Sequence, residues 1–69
     1  MEAANYRAGM VLRFWYSPIA KPRLVIVLAV YKKTNQLRLR YVGSNDIWRY
    51  DFNLYHQVGG GRIERVGVI

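Results

Sequence analysis

Apolar and polar positions alternate along most of this chain in five short runs separated by turn residues. A period of two is the pattern of β-strands with one buried face, and no window shows the three-to-four spacing of an amphipathic helix. The first run, Met10 to Tyr16, is entered through Gly9 and ends at Ser17-Pro18. The segment from Ser17 to Pro22 holds both prolines and reads as a loop, since proline cannot donate to a central ladder. The second run, Arg23 to Tyr31, is apolar at nearly every position, as a strand covered on both faces would be. Lys32 to Gln36 then reads as a polar hairpin turn. Leu37-Arg-Leu-Arg-Tyr41 alternates cleanly, and Gly43 to Asp46 is a strong turn signal. Alternation resumes at Ile47 and continues to Tyr55, placing Trp48, Tyr50, Phe52 and Leu54 on one face. Gly59 to Gly61 break the pattern, and Arg62 to Ile69 supply a short last strand. The expected strands are therefore 10–16, 23–32, 36–42, 47–55 and 62–68. Residues 1–8 are expected to form a loose arm or a single helical turn ahead of one domain, 9–69.

A four-residue loop at Gly43 to Asp46 sets a register for the third and fourth strands. It pairs Tyr41 with Trp48, Leu39 with Tyr50 and Leu37 with Phe52 on the core side. On the other side Arg40 then faces Arg49, and Arg38 faces Asp51. A one-residue slip would turn the arginines inward, so the two faces support the assignment. With Leu12, Phe14 and Tyr16 inward, the first strand adds Arg13 and Trp15 to the arginine side.

Five short strands with one long loop and tight central turns predict an all-β fold, a single small five-stranded SH3-like barrel. The spacing resembles that group, which includes Tudor, KOW and chromo-type modules. A local likeness to the barrel of MazF/PemK-type toxins rests on Gly9-x-Val11-x-x-Phe14 and on Arg23 leading Leu-Val-Ile-Val27. Those toxins usually place a proline after the arginine, where this chain has Leu24. Their Ser/Thr-rich catalytic strand is replaced here by Leu37 to Tyr41. The likeness therefore implies the barrel and speaks against ribonuclease activity. Small proteins of tailed phages are also loosely similar in the first two strands.

Composition narrows the partner. The chain has 69 residues, of which 52% are hydrophobic, so it is one domain near the lower size limit for an independent core. It has no cysteine, which leaves packing rather than disulfides or thiolate metal sites to hold the fold. The first ten residues show no basic segment followed by an apolar run, and the longest apolar stretch is too short for a membrane span. A soluble, cytoplasmic protein is the expectation. Eleven Lys and Arg against four Asp and Glu give a formal charge of +7, a field that attracts polyanions at a distance.

These charges suggest a nucleic-acid-binding face, DNA or RNA, built from Arg13, Arg38, Arg40 and Arg49 with Lys32 and Lys33 beside them. Trp15 would be its stacking platform. The plainer reading is a solvated charge ladder with Asp51 relieving the arginines and Trp15 covered by the loop that contains Pro18. An acidic protein surface is the alternative partner, and a self-assembling structural subunit is a third reading.

Catalytic groups are sparse. His56 is the sole histidine and has no acid or nucleophile pattern beside it. Glu2, Asp46, Asp51 and Glu64 are scattered, without paired acid–base spacing or a metal-ligand cluster. Gly59 to Gly61 lack the lysine and Ser/Thr of a phosphate-cradling loop. The sequence therefore predicts a binding module, without a cofactor or metal, rather than an enzyme.

Overall fold

The computed structural model describes residues 3–17, 19–54 and 62–68, with Val68 described by its backbone alone. A 3-10 turn at Ala3–Asn5 precedes five strands: β1 (Met10–Trp15), β2 (Arg23–Tyr31), β3 (Gln36–Tyr41), β4 (Ile47–Asp51) and β5 (Arg62–Val68). All pairings are antiparallel, in the order β4-β3-β2-β1-β5. The all-β expectation holds, but the SH3-like barrel does not. β4 and β5 are the two edges of one open five-stranded sheet and do not pair with each other.

The inner face nevertheless closes on itself. Strands lie about 4.8 Å apart, so side chains on β1 and β4 of a flat sheet would sit roughly 14 Å apart. Here the Phe14 ring of β1 lies 4.7 Å from the Trp48 ring of β4 and 5.9 Å from Tyr50. Only strong curvature brings them together. Register shifts mark two bulges of the kind that bend a strand, one at Leu28 on β2, between Val27 and Ala29, and one at Val66 on β5, opposite Val11 and Leu12. The first also resets the alternation, so that Val30 pairs with buried Leu37 and Ala29 with outward Arg38. The core so enclosed is Leu12, Phe14, Val25, Val27, Leu37, Leu39, Tyr50 and Phe52, closed at one end by Ala3. Each large side chain buried contributes about 1.5–3 kcal/mol. Tyr50 packs edge-on to Phe52 at 5.0 Å, and Phe52 stacks on Tyr6 at 5.6 Å.

The β3–β4 register differs by two residues from the one the sequence predicts. Leu39 pairs with Trp48, Leu37 with Tyr50 and Gln36 with Asp51, while Arg38 faces Arg49 and Arg40 faces Ile47. Each residue keeps its expected face, because a shift of two preserves the alternation. The connection is wider than four residues. Ser44 donates its N–H to the Tyr41 carbonyl at 3.1 Å around Gly43, whose φ of +83° favours glycine. Val42 turns away from β4 and donates its N–H to the Leu24 carbonyl of β2 at 3.0 Å.

β4 also stops earlier than the alternation implies. Asp51 Oδ1 accepts the N–H groups of Asn53 and Leu54 at 2.9 and 3.2 Å, which caps a helical turn at residues 52–54. Phe52 thus reaches the core from a helical turn rather than from a strand, and Leu54 is exposed. Asp51 is no arginine partner. Its other oxygen accepts from Gln36 Nε2 at 2.9 Å. That bond, and then the cap to Leu54, lower its carboxyl below the ordinary 3.8.

One buried polar residue ties these pieces together. Asn35 ends the β2–β3 turn at φ 57°, a left-handed conformation that asparagine tolerates better than most residues. Its Oδ1 accepts the Ala3 N–H at 2.9 Å, and its Nδ2 donates to Asn53 Oδ1 at 3.3 Å. Its carbonyl accepts the Phe52 N–H at 3.1 Å. The 3-10 turn, the hairpin and the turn after β4 therefore share one anchor.

Two outcomes follow. Asn35→Gly keeps the backbone conformation but loses both side-chain bonds, and should cost about 1–3 kcal/mol in urea denaturation. Asn35→Ala should cost about 1 kcal/mol more, from the left-handed strain. A fully stable Asn35→Gly would show that the anchor contributes nothing net. For Asp51, the folded carboxyl is depressed, so its stabilisation is complete above 3.8 and is lost as pH falls through the lower folded value. Unfolding followed against pH should show this acid limb, and Asp51→Asn should flatten it; an unchanged limb would contradict the cap.

Candidate nucleic-acid interface

The pairings place every arginine expected on the charged face on the outer side of the sheet. Across β3 and β4, Arg38 stands directly opposite Arg49, and Arg40 lies one row further along β3, between Ile47 and Ile26. Lys32 and Lys33 sit exposed in the turn that leads into β3. Across β1 and β5, Arg13 pairs with Glu64 and Trp15 with Arg62. The pairing with β1 assigns the facing of β5. Arg62 is outward, whereas Arg65 shares the inner side with Leu12.

These cations are not equally available. Arg13 Nη1 bridges Glu64 Oε1 at 3.0 Å with both side chains about half exposed, so the pair adds little stability but engages the guanidinium. Arg40 Nη1 donates to the Ser44 carbonyl at 2.9 Å and braces the wide β3–β4 connection. Arg49 lies over the Tyr31 ring, Cζ 4.4 Å from its centroid, and donates to Gln36 Oε1 at 3.3 Å. Arg38, Lys32 and Lys33 have no hydrogen-bond or ion-pair partner among the described residues. A guanidinium laid on a ring loses little of its donor fork, because stacking uses its face and leaves N–H edges free for an oxyanion.

Trp15 is half-buried, and one covering group is a cation the sequence does not suggest. Arg62 lies over the indole at 4.2 Å, while Pro18 falls outside the described residues. A base can stack on the outer face of Trp15 only after Arg62 swings aside. No sequence signal predicts that cover, because it depends on the β1–β5 register across a long separation.

Apolar groups divide the two cationic clusters. Leu24, Val42 and Ile47 are 46%, 49% and 48% exposed, next to half-buried Ile26 and Val11. β2 is therefore not covered on both faces. Its outward residues form an apolar band between Arg38, Arg40 and Arg49 on one side and Arg13 and Arg62 on the other.

Neither His56 nor Gly59 to Gly61 lies within the described residues. Among those that do, no three of His, Cys, Asp and Glu cluster as metal ligands, and no helix is long and apolar enough to cross a membrane. Comparison with protein-family models, with curated proteins and with solved structures finds no match. The local likenesses to MazF/PemK-type toxins and to small phage proteins gain no support from it, and the open sheet removes the barrel on which the first rested.

Proposed function

We propose that this chain is a non-enzymatic nucleic-acid-binding module that docks through the outer face of its sheet. One observation carries the reading. Arg38 and Arg49 are direct cross-strand neighbours, and no carboxylate bridges either one among the described residues. Like charges so placed cost about a few tenths of a kcal/mol in the free protein. A phosphate set between them removes that cost and gains charge-assisted hydrogen bonds. Arg40 extends the row, Lys32 and Lys33 flank it, and the net charge of +7 draws a polyanion in. The face carries guanidinium, ammonium and aromatic groups, which grip oxyanions and stack on bases, and its two carboxylates are already engaged, Glu64 by Arg13 and Asp51 by Gln36 and the turn it caps. That chemistry favours binding over catalysis.

The apolar band favours a second reading, an acidic protein surface. Leu24, Val42 and Ile47 offer contact area that a phosphate backbone does not use. Arginines around an apolar centre are common at protein interfaces.

Oligonucleotide binding measured against salt separates the two. Log affinity should fall linearly with log salt, and Arg38→Ala or Arg49→Ala should lower the slope by roughly 0.7 for a single strand or 0.9 for a duplex. Arg13→Ala should do less, because that cation already has Glu64. Trp15→Ala should cost about 1–3 kcal/mol at unchanged slope if bases displace Arg62 and stack there. Absence of binding to any oligonucleotide at low salt would overturn the nucleic-acid reading in favour of the acidic protein surface.

A further inference from the structure

A second cationic feature lies away from the outer face. Between the N-terminal segment and β5 runs a groove of about 630 Å³, lined by Ala4, Asn5, Arg7, Ala8, Met10 and Arg65. Arg65 shares the inner side of the sheet with Leu12. Its guanidinium donates to the Asn5 carbonyl and lies 5.3 Å from the Tyr6 ring centroid. These contacts hold the side chain against the N-terminal segment and occupy one of its five donors. Arg7 is anchored differently. Its backbone N–H donates to Met10 Sδ at 3.3 Å, and its carbonyl accepts the Met10 N–H at 3.2 Å. The Arg7 side chain is exposed and has no hydrogen-bond or ion-pair partner among the described residues.

The groove thus has two guanidiniums, one held in place and one free to close, and no carboxylate among the described residues that line it. Between them Ala4, Ala8 and Met10 provide a small apolar surface. We propose that this groove binds a small organic phosphate, its dianionic head bridged by Arg7 and Arg65 and its apolar part lying on Met10 and the two alanines. Two planar donor forks suit a tetrahedral dianion, which offers acceptors to both at once and balances both charges. A monoanionic carboxylate balances only one. The site shares no residue with the outer face, so it stands or falls independently of nucleic-acid binding.

Phenyl phosphate, which pairs such a head with an apolar ring, is a direct probe. In a titration at low salt, followed through the arginine side-chain Nε–Hε resonances, saturable shifts with one shared dissociation constant are expected at Arg7 and Arg65, and they should persist in Arg38→Ala, which removes the phosphate seat of the outer face. Arg7→Ala should weaken binding about tenfold, the equivalent of one charge-assisted hydrogen bond, without touching the fold contacts of Arg65. Arg38→Ala, on the opposite face, should leave the affinity unchanged. Benzoate should bind more weakly than phenyl phosphate. Non-saturating shifts spread over all arginines, or equal affinity in Arg7→Ala, would overturn the site. Equal affinity for benzoate would overturn its assignment to phosphate.

Discussion

Much of this fold depends on the need to bury one apolar sheet face with little else to cover it. Besides the sheet, the described residues contribute only a 3-10 turn and the short helical turn at 52–54. The sheet meets the need by bending, so that Phe14 and Trp48, three strands apart in the order, come into ring contact. The bulge on β2, the Ala3 plug and the entry of Phe52 from a helical turn serve that closure. Asn35 ties the N-terminal 3-10 turn, the β2–β3 hairpin and the turn after β4 together at one end of the core. Bending is not closure of the ladder. The two edge strands remain unpaired with each other, and the molecule is a curved sheet rather than a barrel.

The functional surface is what this arrangement leaves outside. Residues that alternate with the core project from the outer face: arginines on β3 and β4, an arginine and a tryptophan on β1, aliphatics on β2. Aromatic rings hold several cations in place. Arg49 lies on Tyr31, Arg62 on Trp15 and, at the open end of the inner face, Arg23 on Tyr41 at 3.8 Å. Such pairs order long side chains before a ligand arrives, which lowers the entropy cost of gripping an oxyanion. Arg38, opposite Arg49 and without a ring of its own, remains the free member of the row.

Alternation made the strands and their faces legible. The starts of all five strands, and the outward direction of Arg13, Arg38, Arg40 and Arg49, follow from a period of two. Pairing did not follow, because a two-residue shift between β3 and β4 leaves every face unchanged. The choice was made by Gly43 and by Val42 turning to β2, which no alternation encodes. The end of β4 was hidden because Phe52 is buried whether it continues a strand or begins a helical turn. Asp51 was the available signal there, as a capping residue ahead of Asn53 and Leu54. Openness of the sheet was also invisible, since inward and outward positions say nothing about whether two edges meet. The role of Asn35 as an anchor, and of Arg62 as the cover of Trp15, needed contacts between segments far apart in sequence.

The contact between Phe14 and Trp48 tests the curvature most directly, because a flatter sheet separates these rings. A double-mutant cycle with Phe14→Leu and Trp48→Leu, read by urea denaturation, should give a coupling of about 0.5–1.5 kcal/mol. Nuclear Overhauser contacts between the two rings should accompany it. Additive effects, with no contact between the rings, would contradict the bent sheet and the enclosed core built on it.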